Sequence, residues 1–367
     1  MQNKKLSVVQ ITDQLNIGGA ERVLVTISNL LYKYGHRVAV LTIVTKGPLA
    51  AQLNKEIKVI DIKRKWKWNL LTMHRLIKAI GEFDIIHVHS SYNLRYVYLA
   101  MKIFGLHKPI FFHEHFGDIE TDKTVSWHQQ FIYPKTILIA VSNSIAQWAL
   151  HNVKMDNKRV FLLPNTVEVV QPNETGKRSA ANVSNLVLVA NIRPAKNIDF
   201  AIDLLKELNR KNLFHLTIIG KPAERVYLEN LQQKIKQLQL TERVNFIFDI
   251  DEIQPLLCRY QLAIHTAKSE SGPLVLIEYM AQNLPFITYN TGEVAQQIKA
   301  VLPELIADDF NTLAWINRID FLLTEKNYGY IQQKMQQVFE VYYSTEEYYN
   351  RCINIYEQGL KLSIAKV

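Results

Sequence analysis

The chain is poor in the features that mark membrane-spanning, disulfide-stapled and low-complexity proteins. No apolar run approaches the roughly 18–20 residues that a bilayer-spanning helix needs, and the mean hydropathy is −0.06. Only two of the 367 residues are cysteine, Cys258 and Cys352. Two thiols exclude a disulfide framework and a cysteine zinc site, and they fit a reducing, cytoplasmic compartment. The opening MQNKKLSVVQITDQLNIGG has no apolar stretch ahead of a small-residue cleavage site, so no signal peptide is expected. There is no short-period repeat and no low-complexity segment. What remains is 48% hydrophobic and 21% charged, ordinary for a globular chain with a sizeable core. At about 150 residues per domain the length predicts two domains.

Charge is unevenly placed. Residues 1–170 carry 22 Lys+Arg and 12 Asp+Glu, a net of +10, whereas residues 171–367 carry 21 and 22, a net of −1. A basic half is either a solvated face or the mark of an anionic partner such as a membrane surface, nucleic acid or a phosphorylated substrate.

Short apolar segments alternate with helical periodicity. The predicted strands are 6–12, 37–44, 57–62, 84–89, 110–115, 137–142 and 160–164, then 186–190, 215–219, 244–248, 262–266 and 285–289. Val23, Ile27, Leu30, Leu31 and Tyr34 share one face of a helix after the first strand. This alternation predicts parallel sheets covered on both faces. The polar stretch after Thr166 breaks it, giving a domain over 1–168, a linker over 169–184, a second domain over 185–344 and a terminal helical segment over 345–367 that returns to the first domain. The fold class is α/β, two doubly wound Rossmann-like domains facing across a cleft, and such sheets bind ligands beyond the carboxyl ends of their strands.

Four segments carry candidate chemistry. Gly18 and Gly19 sit between the first strand and its helix, where free N–H groups favour an anion; a tight turn explains them equally well. The dinucleotide fingerprint is absent, and the second strand ends in Val44-Thr45 without an acid for a ribose. Arg193 and Lys196 follow the first strand of the second domain, as diphosphate ligands or as solvated loop cations. SESGPLVLIE at 269–278 places Glu270 before a helix start set by Gly272-Pro273, with the N–H groups of Leu274 and Val275 exposed and Glu278 further along the helix. A carboxylate there repels a diphosphate but accepts hydrogen bonds from sugar hydroxyls. Fourth, Lys63, Arg64, Lys65, Trp66, Lys67 and Trp68 join cations to indoles, as membrane-interface segments do. The alternative is a solvated loop before a helix whose Leu71, Ile77 and Ile80 face the core. Histidines are concentrated in the first half, but no pair has metal-ligand spacing with acidic neighbours, so no required metal is expected.

These segments resemble the family 4 retaining glycosyltransferases of the two-domain GT-B fold. The resemblance runs through GGAER, DIIHVHS at 84–90, HEH at 113–115, AVSNS at 140–144, LPNTVE at 163–168, RPAKN at 193–197, SESGPLVLIEYMAQNLP at 269–285 and TGEV at 291–294. It implies transfer of a hexose from a nucleotide-diphospho-sugar to a glycan, a lipid-linked intermediate of surface polysaccharide or lipopolysaccharide. By position, Glu270 meets the donor sugar's hydroxyls, Glu278 the ribose, Gly272 to Val275 the sugar and distal phosphate, and Lys196 the diphosphate. Gly19 approaches the diphosphate from the first domain, and Phe246–Asp249, with Phe248, lines the base pocket. His115 is the implied functional histidine, with His113 its neighbour. The implied partners are the donor, the acceptor and an anionic membrane surface on the inner face, without nucleic acid or a metal cofactor. The sequence departs from the family at Asn191, Ser271 and Thr166, where arginine, glycine and glycine are usual. Competing readings are a nucleotide-sugar epimerase on the same fold, an NAD-dependent enzyme and a non-catalytic nucleotide-sugar-binding subunit.

Overall fold

A computed structural model describes all residues except 1–4, 67, 118, 120–121, 172–182, 211–212 and 365–367. Its contacts fall into two units, 1–166 with 345–367 and 167–344.

The first unit contains β1 (Ser7–Gln14), α1 (Gly19–Lys33), β2 (Arg37–Thr45), β3 (Lys58–Asp61), α2 (Leu70–Ile80), β4 (Ile85–His89), α3 (Ser91–Ile103), β5 (Ile110–Glu114), α4 (Trp127–Ile132), β6 (Ile137–Ala140), α5 (Asn143–His151) and β7 (Val160–Leu162). The strands form one parallel sheet in the order β3-β2-β1-β4-β5-β6-β7. β4 and β5 are buried at every position, because helices cover both faces. That is why their sequences read as continuous apolar runs. The AVSNS segment is a helix start: Ser142 Oγ accepts from the Ile145 N–H at 3.2 Å.

The second unit contains β8 (Val183–Val189), α6 (Ile198–Leu208), β9 (Leu213–Ile219), α7 (Arg225–Gln237), β10 (Val244–Ile247), β11 (Leu262–His265), α8 (Leu274–Ala281), β12 (Phe286–Tyr289), α9 (Gly292–Lys299), β13 (Ile306–Ala307), α10 (Thr312–Leu323) and α11 (Glu325–Val338). Its parallel sheet runs β10-β9-β8-β11-β12-β13. Every expected strand is present. The two-residue β13 was not expected, being too short to show a period.

Three expectations are corrected. Residues 172–182 of the expected linker lie outside the described residues, but its beginning is strapped to the second unit. Gln254 Nε2 donates to the Glu168 carbonyl at 2.8 Å, its Oε1 accepts from the Val170 N–H at 3.1 Å, and Gln282 Nε2 donates to the Val170 carbonyl at 2.7 Å. The first unit therefore ends at Thr166, two residues before the expected boundary. Tyr34 is not on the buried face of α1; it caps the helix and its ring stacks on Tyr349 at 3.7 Å. Leu71 does not face the core: it is 76% exposed, while Thr72, Met73, Leu76 and Ile80 fill the inner face of α2.

The last helix, α12 (Thr345–Ile364), belongs to the first unit. Tyr348, Tyr349, Cys352, Ile353, Ile355 and Tyr356 join the core beneath β1 and α1. At Gly359 an added Cβ would fall 2.5 Å from Phe111 Cε1 and 2.6 Å from Ile137 Cδ1, so glycine sets how closely the helix approaches β5 and β6.

Candidate functional site

In each sheet the strand order reverses direction beside its first strand, between β1 and β4 and between β8 and β11. At such switch points the loops leave in opposite directions and open a crevice beyond the carboxyl ends of the strands. The candidate residues gather at both.

In the second unit the loop after β8 carries Arg193 and Lys196, and the loop after β11 carries Glu270. Two bonds lock the loops together: Lys268 N–H to the Ala195 carbonyl at 2.9 Å, and Thr266 Oγ1 to the Lys196 carbonyl at 2.9 Å. Lys196 Nζ pairs directly with Glu270 Oε1, and His265 Nε2 lies 3.4 Å from the same oxygen. Burial alone would raise the Glu270 carboxyl; contact with His265 and the charge of Lys196 outweigh it and hold the group at about 2. Glu270 is therefore a fixed anion and hydrogen-bond acceptor at any physiological pH. Sequence reasoning missed His265, because its role depends on a loop returning over the strand that carries it.

Gly272 and Pro273 lead into α8, whose first N–H groups, from Leu274 and Val275 onward, have no partner within the helix. Glu278 lies in the same helix and is buried. The TGEV segment supports this loop from behind. Thr291 Oγ1 accepts from the Glu270 N–H at 3.1 Å, and the Glu293 N–H donates to the Ser271 carbonyl at 2.8 Å. Gly292 has φ +78°, and a Cβ there would meet Glu270 Cβ and the Glu270 carbonyl, each at 3.1 Å. We expect Gly292→Ala to destabilise the second unit by more than about 1 kcal/mol and to reduce turnover through displacement of Glu270. Chemical denaturation checks the first effect, and kcat at saturating donor checks the second. Arg193 is partly exposed at the start of the Pro194–Lys196 turn. Phe248 is exposed just past β10, its ring stacked on Phe246 at 5.9 Å.

In the first unit Gly18 is the N-cap of α1 and Gly19 its first residue. The Glu21 side chain folds back over Gly18, occupying space that a Cβ there would need. Burial raises the Glu21 carboxyl, and Asp13 raises it further.

At the carboxyl ends of β4 and β5 stand four histidines. His87, His89 and His113 are buried, and His115 is the first residue past β5. His115 Nε2 lies 3.1 Å from His89 Nδ1, and His89 Nε2 lies 2.9 Å from Gln10 Oε1. Gln10 Nε2 donates to the Tyr356 hydroxyl at 3.3 Å, and that hydroxyl lies 2.7 Å from His87 Nδ1. An amide oxygen only accepts, so His89 carries its proton on Nε2 and accepts on Nδ1. His115 is then the Nε2–H tautomer, leaving Nδ1 as a lone pair. Nitrogens of His87, His89 and His113 come within 4.8 Å of one another. Their ring planes, however, are 12–37° apart, so the lone pairs run side by side instead of converging, and His89 already uses both nitrogens. Burial lowers all four imidazoles, His115 to about 3, with mutual repulsion adding to the effect in the other three. Glu114 supports the turn: its carboxylate accepts from the Tyr133 hydroxyl at 2.6 Å and from the His115 N–H at 3.0 Å.

The basic-aromatic segment is divided by the fold. Trp66 is 75% and Trp68 51% exposed, and Lys63 and Lys65 are exposed with them. Arg64 is not at the surface as expected. It is 9% exposed, donates to the Tyr92 hydroxyl at 2.9 Å and lies over the rings of Tyr92 and Tyr96. Lys63, just before it, has a left-handed backbone with φ +57°, and the chain there turns the Arg64 side chain inward against α3. Lys67 lies outside the described residues. Arg95 spans the rings of Trp68 and Trp127, extending the exposed aromatic surface to α4.

The family model described as Glycosyltransferase Family 4 matches residues 17–171, and that described as Glycosyl transferases group 1 matches residues 172–338. The putative glycosyltransferase EpsF of Bacillus subtilis is 23% identical over 314 residues, covering 78% of this chain and 80% of that protein. Among solved structures, Anabaena Alr3699/HepE in complex with UDP and glucose has a TM-score of 0.78 at 17% identity, over 96% of this chain and 99% of that one. The apo form of the lipopolysaccharide outer core galactosyltransferase WaaB has a TM-score of 0.69 at 17% identity, over 95% and 99%. The structural likenesses show the fold, and the two family models meet end to end across both units: the chain belongs to the family 4 glycosyltransferases with the GT-B fold.

Proposed function

We propose that the protein is a retaining hexosyltransferase that takes its sugar from a nucleotide-diphospho-sugar and gives it to a glycan, a lipid-linked intermediate of surface polysaccharide or lipopolysaccharide. The observation that carries this reading is the Lys196–Glu270 pair beside the start of α8. It sets a cation and free N–H groups for a diphosphate next to a fixed carboxylate for sugar hydroxyls. Glu278 takes the ribose, Phe248 flanks the base, and Arg193 adds a second cation for the diphosphate. The acceptor belongs to the first unit, where His115 offers Nδ1 to a sugar hydroxyl.

Transfer through this site uses positioning and charge stabilisation. Glu270 and His115, held at about 2 and about 3, are too weakly basic to take a proton at neutral pH. The leaving diphosphate is then the base that receives the acceptor's proton on the face it departs from, which gives retention. Lys196 and the helix N–H groups stabilise the leaving group without a metal. The test is release of nucleoside diphosphate only when acceptor is present, with the product's anomeric configuration read by NMR. UDP-sugars come first in a thermal-shift panel, since the Anabaena relative was solved with UDP. A donor at 100 times its Kd adds about 2.7 kcal/mol.

The first unit, in the same proposal, rests on an anionic leaflet through Lys63, Lys65, Trp66 and Trp68, on the inner face of the membrane. None of the described helices is long and apolar enough to cross a bilayer. Trp66, Trp68, Leu70 and Leu71 form an exposed apolar ridge flanked by cations, suited to headgroup depth. Each cation near the leaflet contributes about 1 kcal/mol. Changing Lys63 and Lys65 to Ser should weaken co-sedimentation with phosphatidylglycerol vesicles roughly 10- to 30-fold at low salt. Donor affinity should not change. Equal binding to neutral vesicles would reduce the ridge to a solvated loop.

A further inference from the structure

At the opposite end of the first sheet from the histidines, the amino ends of β5, β6 and β7 border a cavity of about 740 Å³. That is within the usual range for small-molecule sites. Its walls come from the end of α3, the 105–109 loop, the residues just before β6 and β7, and the last turns of α12. Tyr98, Met101, Leu106 and Leu360 give it an apolar lining. Among the described residues its charged groups are all basic: Lys102, Lys108, Lys135 and Arg159 line it, with His107 and the hydroxyl residue Ser363, and no described carboxylate does.

Arg159 is the informative member. It is only 8% exposed, and among the described residues its guanidinium has no hydrogen bond or ion pair. A guanidinium on a residue this buried is ordinarily paired, because burial removes most of the water that would otherwise satisfy its donors. The other cations are partly engaged. Lys108 Nζ donates to the carbonyls of Gly81 and Phe83 at 2.5 and 2.6 Å, and Lys135 lies over the Tyr98 ring at 5.6 Å. Arg159 therefore faces a largely apolar cavity with its donors unspent, and a guanidinium fork matches a phosphate or carboxylate head.

We infer that this cavity binds an anionic amphiphile, with a phosphate or carboxylate head on Arg159 and an apolar tail against Tyr98, Met101 and Leu360. The site is separate from the sugar-transfer residues, and the inference does not rest on the proposed transferase reading.

The test is calorimetric titration of the full chain with octyl phosphate below its micellar concentration, beside inorganic phosphate and neutral octyl glucoside. One octyl phosphate per chain is expected, at least tenfold tighter than either control. Arg159→Gln should lose at least tenfold. Because that variant exchanges a buried residue, Leu360→Glu, at the tail end, provides a second reading and should lose as much. Equal binding of octyl glucoside, equal binding of inorganic phosphate, or unchanged binding in both variants would each overturn the proposal. A fall in co-sedimentation of Arg159→Gln with phosphatidylglycerol vesicles identifies the ligand as a bilayer lipid. Unchanged co-sedimentation, with octyl phosphate binding lost, identifies it as a free amphiphile.

Discussion

Glu270→Ala abolishes sugar transfer and leaves the affinity for bare UDP unchanged or tighter. The carboxylate's proposed partner is the sugar, so removing it takes nothing from the nucleotide. It also frees Lys196, which in the protein without donor is neutralised by Glu270, and an unpaired, partly buried cation gains from a diphosphate. Lys196→Ala behaves oppositely: UDP and donor both weaken roughly 10- to 100-fold, the scale of one charged hydrogen bond at about 1.5–3 kcal/mol. Calorimetry with UDP and with the intact donor separates the two. An equal loss of UDP and donor affinity in Glu270→Ala would overturn the assignment of this carboxylate to the sugar. Because the folded value of Glu270 is depressed to about 2, its contribution to stability is complete above the unfolded value of about 4.3 and is lost only as pH falls towards 2. No limb of the pH–rate profile between pH 5 and 9 should belong to it.

The first unit loses stability in mild acid and unfolds with a midpoint above pH 4. His87, His89, His113 and His115 are all lowered by burial. Gln10, Tyr356 and their own neighbours face them, and no carboxylate among the described residues hydrogen-bonds their rings. A folded value below the unfolded value of about 6.5 means that the unfolded chain binds more protons once the pH falls under 6.5. Stability is full above that pH and declines below it by up to about 1.4 kcal/mol per pH unit for each histidine. His115, held at about 3, loses roughly 2 kcal/mol by pH 5, and the other three act in the same direction, against a whole stability of about 5–15 kcal/mol for an ordinary domain. Trp315, in the second unit, provides a separate fluorescence reporter in a variant lacking the other tryptophans. A transition of the first unit centred below pH 4 would show that the imidazoles are hydrated in the folded protein.

Both sheets were legible in the sequence because parallel strands covered on two faces must be short and apolar. The loops at their carboxyl ends were legible because Gly, Pro and charged residues break the apolar pattern there. Lys196 and Glu270 were named from such loops, and the structure brings them into contact. Contacts between distant strands left no local mark. Nothing near Gln10 or Tyr356 announces that they share a hydrogen-bonded path with His87 and His89, since the partners come from β1, β4 and α12. Arg64 misled because composition counts a cation without knowing which way its side chain points. Leu71 misled because it sits one residue before the buried face of α2, which begins at Thr72 and includes the expected Ile80.

The placement of α12 sets an order of events during synthesis. The first unit's core includes Tyr349, Cys352 and Tyr356, which emerge only after all of Val167–Ser344 has been made. At roughly 5–20 residues per second, the sheet of the first unit waits about 9–36 s with one face lacking its helix and the His87 imidazole lacking its hydroxyl partner. The second unit has no such dependence, because its chain is continuous. The later-made half can therefore reach its native packing before the earlier-made half. A nascent chain stalled before Thr345 should contain a protease-resistant second unit attached to a susceptible first one.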